Sequence, residues 1–231
     1  GAIDKPGVYW WIGPIYPISD IGWRILKRLI NQLIKAGLDI KVREDPRWVE
    51  FSNGAQIWIK SADNPDSLRG EGLSGVVLDE AAQIRESAWT EALGPSLADK
   101  QGWALFITTP KGKNWIYQLY NYAKTDPAWA SWQLKTKDIN PYIDPDEIDY
   151  WYKYYDDRGQ LNIFYQEWEA DFGSSQFLVY PEFDSTIHKW KTPIPEFSVV
   201  RGGLDFGGTT IGSHMSTGAV GIKTERDELI C

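Results

Sequence analysis

Two short apolar runs, each ending in a polar cluster, constrain this chain more than any other feature. Gly75-Val76-Val77-Leu78 leads straight into Asp79-Glu80, and Trp103-Ala104-Leu105-Phe106-Ile107 leads into Thr108-Thr109-Pro110. Neither run alternates apolar with polar residues, and each has the length of a strand. That pattern predicts strands buried on both faces of a parallel sheet. The intervening residues, 81–98, suffice for one crossover helix, so the two strands are expected as parallel neighbours with both clusters at one edge. Ligands of such sheets sit beyond the carboxyl ends of the strands.

An acidic pair beside a hydroxyl pair suits nucleotide hydrolysis. Asp79 would hold Mg²⁺, Glu80 would polarise the attacking water, and Thr108 and Thr109 would contact the phosphate end. The same dipeptide is also an ordinary helix start, with Asp79 as cap and Glu80 favouring the helix dipole. A phosphate-wrapping G-x-x-x-x-G-K-S/T string does not occur, and Lys111-Gly112-Lys113 lacks its spacing. Either the protein is no nucleotidase, or the phosphate loop lies upstream of residue 1. The chain opens on Gly1 close to an apolar strand and stops at Leu229-Ile230-Cys231. It reads as an internal piece of a longer protein.

At 231 residues there is room for one large domain, or one and a part. Thirteen Trp and twelve Tyr place the chain far from a disordered composition. No apolar run approaches the ~20 residues of a membrane span. Cys231 is the sole cysteine, which rules out an internal disulfide and makes a reducing cytoplasm the expectation. With His188 and His214 as the only histidines, a zinc site built on His and Cys is excluded, and any metal must be a hard cation on carboxylates. The net charge of −8 argues mildly against nucleic acid, but the excess acid gathers between Asp138 and Asp184. Arg24, Lys27, Arg28 and Lys35 share one predicted helix, which fits a solvated face as well as a DNA track.

Further patterns fill in the chain. A strand is expected at 8–13 and a helix at 18–36, with Ile21, Ile25, Leu26, Leu29, Ile30, Leu33 and Ile34 at helical spacing. Short strands at 40–42, 48–51 and 56–59 follow, the last two joined by an Asn53-Gly54 hairpin turn. A helix at 114–124 would place Trp115, Leu119 and Tyr122 on one side, and 129–135 reads as an edge strand. Asp144-Pro145 starts a helix with Asp146 and Glu147 in its first turn, and 161–171 is a further helix. Trp151, Tyr152, Tyr154 and Tyr155 read as packing rather than as a base-stacking platform, which needs an exposed groove. A Pro-punctuated linker runs from Gly173, and a new strand begins near Val199.

At Ser61-Ala62-Asp63-Asn64-Pro65-Asp66-Ser67-Leu68-Arg69-Gly70 the patterns become specific. This run, the Gly75–Glu80 strand and Thr108-Thr109-Pro110-Lys111-Gly112, in that order, resemble the large terminase subunit of tailed bacteriophages, a DNA-packaging motor. Trp11-Ile12-Gly13-Pro14-Ile15-Tyr16-Pro17 resembles the strand after that family's phosphate-loop helix. Phe164-Tyr165-Gln166-Glu167-Trp168-Glu169-Ala170-Asp171-Phe172 resembles the end of its ATPase region, and Gly203-Leu204-Asp205-Phe206-Gly207-Gly208 its first nuclease motif. The implied fold is an α/β, P-loop-type additional-strand ATPase core, truncated at its N-terminus, followed by the start of an RNase H-like nuclease domain. The implied division is 1–136 for the ATPase core, 137–172 for a helical lid region, 173–196 for a linker and 197–231 for the first nuclease strands.

By the same resemblance Asp79 would organise Mg²⁺, Glu80 would be the general base against the γ-phosphate of ATP, and Thr108, Thr109 and Pro110 would form the coupling motif. Arg69 matches an arginine finger that reaches a neighbouring subunit's ATP; by charge pattern it is equally a loop arginine paired with Asp63, Asp66 or Glu71. Asp205 would hold Mg²⁺ or Mn²⁺ at a two-metal nuclease site, or else is a turn Asp. The implied function is ATP-driven translocation of double-stranded viral DNA into a procapsid, coupled to metal-dependent endonucleolytic cutting of concatemers. Implied partners are the portal protein, the small terminase subunit and sister copies in a ring, in the host cell cytoplasm and with no membrane. These 231 residues alone are expected to be inactive as an ATPase. The alternatives are a DEAD-box-type helicase and a degenerate, non-catalytic binding module. Gly212-Ser213-His214-Met215 receives no role.

Overall fold

The computed structural model describes residues 6–173, together with strands at 199–203, 219–223 and 229–230. The chain divides into two units, Gly1–Val179 and Tyr180–Cys231. In the first, β1 (Val8–Gly13) precedes α1 (Tyr16–Lys35), β2 (Ile40–Glu44), β3 (Arg47–Phe51), β4 (Gln56–Ser61), β5 (Gly75–Asp79) and β6 (Trp103–Ile107). These strands form one sheet in the order β2-β3-β4-β1-β5-β6. The four strands β4, β1, β5 and β6 run parallel, whereas β3 is antiparallel to both of its neighbours.

The expected hairpin at Asn53-Gly54 joins β3 to β4, with Gly54 at φ 83°. The Asn53 Oδ1 accepts from the Ala55 amide at 2.9 Å, an Asx turn that fixes the reversal. A second hairpin, between β2 and β3, turns at the cis Asp45-Pro46 bond. Helix α1 begins two residues earlier than the pattern predicts, with Pro17 in its first turn, where its missing amide costs nothing.

Alternation along β1 sends Tyr9 and Trp11 to one face of the sheet and Trp10 and Ile12 to the other. Trp10, Ile12, Val76 and Leu78 pack against Ile84, Leu93 and Leu97 from the β5–β6 connection. On the opposite face Trp23 and Ile30 of α1 close over Tyr9, Val49 and Ile59. Gly22 permits this approach, because a Cβ there would lie 2.7 Å from the Trp11 Nε1.

Helix α1 covers β1 and β4 but leaves the outer strand open. Ile25 is 45% exposed and Leu29 51%, beside Trp103 at 47%. Between them lies a cavity of about 230 Å³, lined also by Trp11 and Val77. Two expectations are thereby corrected. Of the predicted α1 stripe Ile30 is buried, Leu26 and Leu33 are partly buried and Ile21, Ile25, Leu29 and Ile34 are half exposed, while Trp23, outside the stripe, is buried; and β6 is not buried on both faces. The reason is position: among the described strands β6 is the sheet edge, and α1 sits too far along the sheet to reach it.

The connection 81–98 is not one helix. A single 3₁₀ turn, Ala81–Gln83, is followed by extended Ile84, a π-helical turn Ala88–Leu93 and the short α2 (Gly94–Ala98). Side chains from beyond β6 take the carbonyls of Ala82 and Ile84, which an uninterrupted helix would need for itself. In α3 (Trp115–Tyr122) the buried side centres on Ile116, with Ala123 just past its end, while Tyr122 is exposed, contrary to the predicted face. Residues 129–135 form no strand; Trp129 is held by its ring, stacked on Phe106 at 6.1 Å and edge-on to Trp89.

A short α4 (Thr136–Ile139) precedes α5 (Pro145–Asp156), which Asp144 caps by accepting from the Asp146 amide, as its sequence predicts. Helix α6 (Leu161–Trp168) stops three residues short of the expected end, where Ala170 turns left-handed at φ 51°. The aromatics of this pair pack on one another: Trp151 stacks on Trp168 at 6.4 Å and Phe164 on Trp168 at 5.9 Å. In the second unit β7 (Val199–Gly203), β8 (Ala219–Lys223) and β9 (Leu229–Ile230) form an antiparallel sheet in that order. Asp205, residues 212–215 and nearly all of the predicted linker lie outside the described residues.

Candidate functional site

Parallel pairing sets the site. Asp79, the last residue of β5, lies opposite Ile107, the last of β6, so Asp79-Glu80 and Thr108-Thr109 leave adjacent strands at one edge. β1 ends at the same edge with Gly13, and β4 with Ser61. Ser19, fully buried, ties these ends together: its hydroxyl accepts from the Gly13 amide at 2.9 Å and donates to the Lys60 carbonyl at 2.7 Å. No pattern around Ser19 announces this, since its partners come from two different strands.

Glu80 stands at the start of a single 3₁₀ turn, Ala81–Gln83, and not of an α-helix. Its backbone is left-handed, φ 51° and ψ 44°, and its own side chain makes no capping hydrogen bond to the following 3₁₀ turn. Such a conformation costs a non-glycine residue on the order of 1–3 kcal/mol and persists only where the surroundings over-determine it. The surroundings do so here. The Ala82 amide donates to Thr108 Oγ1 at 3.2 Å, and that hydroxyl donates to the Thr109 carbonyl at 2.8 Å. Asn114 Nδ2 donates to the Ala82 carbonyl at 3.2 Å and Trp115 Nε1 to the Ile84 carbonyl at 2.9 Å. The Glu80 carboxylate accepts from Gln83 Nε2 at 3.2 Å. The hydroxyl cluster is thus bonded, through Thr108, to the backbone of the turn that follows the acidic pair.

From the sequence Gln83 receives no role, and Asn114 and Trp115 are placed only at the start of a helix, not at the site. Asn114 carries a local signal, because Asn just before an apolar run is a helix cap. Its reach back to Ala82 carries none. Lys111 meets Glu167 at 3.8 Å, joining the segment after Pro110 to α6.

Arg69 follows a 3₁₀ turn, Pro65–Leu68, and each of its three guanidinium nitrogens donates once within the chain. It donates to Asp66 Oδ1 at 3.2 Å, to the Glu91 carbonyl at 2.9 Å and to Glu91 Oε2 at 3.1 Å. Asp66 is one of the three partners its charge pattern offers; Glu91, on the π-helical turn, is a partner the sequence hides.

Among the described residues no three His, Cys, Asp or Glu side chains gather as a metal cage. A magnesium ion shared with nucleotide phosphates needs less, since it takes one or two carboxylates and completes its shell with water and phosphate oxygens. Asp79 at a strand end fits that requirement. No helix among the described residues is long and apolar enough to cross a membrane.

Comparison with known proteins bears on this geometry. A family model described as "Terminase large subunit, T4likevirus-type, N-terminal" matches residues 24–162. The large terminase subunit of Thermus phage G20c is 37% identical over 147 residues, covering 55% of this chain and 28% of that protein. That of Escherichia phage T5 is 32% identical over 185 residues, covering 77% of this chain and 40% of that protein. The chain therefore spans less than half the length of these curated relatives. Among solved structures, an arginine-to-alanine mutant of the Thermus phage P74-26 large terminase ATPase domain is similar with a TM-score of 0.64 at 27% identity, over 74% of this chain and 78% of that one. The large terminase of another thermophilic bacteriophage, in complex with ADP, gives a TM-score of 0.57 at 15% identity, over 96% of this chain and 53% of that one, a likeness of fold.

Proposed function

This chain belongs to the large terminase subunit family, and from that premise we propose that it carries part of an ATP-hydrolysing motor that drives double-stranded viral DNA into a procapsid. The observation that carries the reading is the register of Asp79 with Ile107, which brings an acidic pair and a hydroxyl pair to one sheet edge. Neither the helicase nor the non-catalytic alternative draws support from the relatives.

In this reading Glu80 orients a water against the γ-phosphorus of ATP and takes its proton. The oxygen of that water bonds to phosphorus as the bond to the β–γ bridging oxygen breaks and ADP departs. Asp79 is the residue to hold Mg²⁺, which when bound neutralises charge on the phosphate oxygens. Thr108, bonded to the turn after Glu80, and Thr109 beside it register hydrolysis and pass it on, and Arg69 reaches the ATP of a neighbouring subunit. The half-exposed stripe of Ile25, Leu29 and Trp103 and the open β6 edge support placing a further strand, helix and phosphate loop outside these residues. A parallel strand left bare on one face, as β6 is, is otherwise unusual.

The remainder of the proposal follows the family. Residues 1–136 form the ATPase core, 137–172 a helical lid region and 173–196 a linker. Residues 197–231 begin an RNase H-like nuclease whose first Mg²⁺- or Mn²⁺-binding carboxylate is Asp205, so that packaging is coupled to cutting of concatemeric DNA. The motor works as a ring of sister copies on the portal protein, with the small terminase subunit, in the host cell cytoplasm.

Two substitutions in the full-length protein test this. Glu80→Gln keeps the shape and removes the base, so kcat should fall on the order of 10²–10⁴-fold with KM little changed. A near-normal kcat would reduce Glu80 to a turn residue. Asp205→Ala should abolish metal-dependent DNA cutting and leave ATP hydrolysis nearly unchanged; normal cutting would remove the nuclease assignment.

A further inference from the structure

We propose that Asn114 is a positioning residue for Glu80, fastening the turn that carries the general base to the first residues of α3. The proposal rests on reading Glu80 as that base. Its structural half stands independently, because it follows from the hydrogen bonds of one amide.

The Asn114 side chain faces two ways. Its Oδ1 accepts from the Ile116 amide at 3.1 Å and the Tyr117 amide at 3.4 Å, which caps α3. Those backbone groups can only donate, so the oxygen must point at the helix and the Nδ2 must point away from it. There it donates to the Ala82 carbonyl, across 32 residues of sequence. Ala82 is consequently gripped on both of its backbone polar groups, its amide by Thr108 Oγ1 and its carbonyl by Asn114. Trp115 Nε1 holds the Ile84 carbonyl at the far end of the same turn.

Glu80 sits two residues before Ala82 in a left-handed conformation that does not persist unaided. With Ala82 and Ile84 pinned, the turn has one position relative to β6 and α3, and the Glu80 carboxylate inherits it. A shift of α3 or of the Thr108-Thr109 segment would then move the base. The linkage is mechanical: one side-chain hydrogen bond, from the Ala82 amide to Thr108, joins the turn that bears the base to the end of β6, and two more, from Asn114 and Trp115, join it to the start of α3.

Capping and clamping can be separated, because only the clamp needs a donor. Asn114→Asp keeps an oxygen for the Ile116 amide and, ionised, has no proton to donate to Ala82; Asn114→Ser keeps a cap on a side chain too short to reach Ala82; Asn114→Ala loses both. In the full-length protein Asn114→Asp and Asn114→Ser should keep the wild-type Tm and KM and lower kcat roughly ten- to a hundredfold, the scale of a base misplaced by about an ångström. In a Glu80→Gln background neither substitution should lower kcat further. Wild-type kcat in both variants would overturn the proposal, as would losses that multiply with Glu80→Gln or that follow Tm across the Ala, Ser and Asp variants.

Failure of the premise is distinguishable. If Glu80→Gln alone keeps its kcat, the base assignment falls and the catalytic half of the proposal falls with it. The clamp is read separately, by amide hydrogen exchange in the 231-residue chain. Exchange at Ala82 and Ile84 should be at least tenfold faster in Asn114→Ser than in wild type, with Ile116 and Tyr117 unchanged. Equal rates at Ala82 would overturn it.

Discussion

Arg69 holds Glu91 twice, donating from Nη1 to its carbonyl at 2.9 Å and from Nη2 to its carboxylate at 3.1 Å. Both side chains are about half exposed, so the ion pair is worth about 0–1 kcal/mol. An arginine finger contributes on the order of 10³–10⁵ in rate where it acts, roughly 4–7 kcal/mol. If Arg69 is the proposed finger, that gain exceeds what these exposed contacts with Asp66 and Glu91 supply, and they would park the side chain without locking it.

From this inequality, Arg69→Ala should leave nucleotide binding by isolated subunits intact and lower turnover on the order of 10³-fold or more only in assemblies. Glu91→Gln should leave turnover in assemblies within a few-fold of wild type. The check is ATPase rate against subunit concentration. Equal activity of Arg69→Ala and wild type in the assembled ring would leave Arg69 as a loop salt-bridge partner.

The open apolar face gives a second prediction. Ile25→Ala and Leu29→Ala replace half-exposed side chains on a helix, and in the 231-residue chain each should change stability by about 0.5 kcal/mol or less. In a longer protein that covers this face, each should cost about 2–5 kcal/mol, the penalty of truncating a buried side chain. Urea melts of both proteins decide the matter. Equal small effects would show that the face stays bare.

Acid should act on the corner where α1 meets β2. Glu44 accepts from Lys27 Nζ and from Trp23 Nε1, each at 2.9 Å. The hydrogen bond from Lys27 chiefly, then that from Trp23, lowers the Glu44 pKa below its ordinary value. A carboxylate with a depressed folded pKa stabilises the fold above its unfolded pKa and ceases to do so as pH falls through the folded one. Glu44→Gln should therefore melt slightly below wild type near neutral pH. The two should converge as the pH drops below the ordinary glutamate range, and the difference near neutral pH should shrink in high salt. A Tm difference independent of pH would assign the effect to packing at Trp23.

Much of the site was legible along the chain because its signals are short-range. Two unbroken apolar runs made strands β5 and β6, and a connection of adequate length made them parallel, which placed Asp79-Glu80 and Thr108-Thr109 on one edge. Asn53-Gly54 and Asp144-Pro145 declared a hairpin and a helix start through backbone preferences of two residues each. What the tertiary structure alone decided depends on groups far apart in sequence. The left-handed Glu80, the broken crossover and the clamp on Ala82 exist because Asn114 and Trp115 bond carbonyls 32 and 31 residues away. Local propensity favours a plain helix after Asp79; those bonds outweigh it. The exposure of β6 was equally hidden, since an apolar run records that a strand is suited to burial, and only the arrangement of neighbouring elements determines whether anything lies over it.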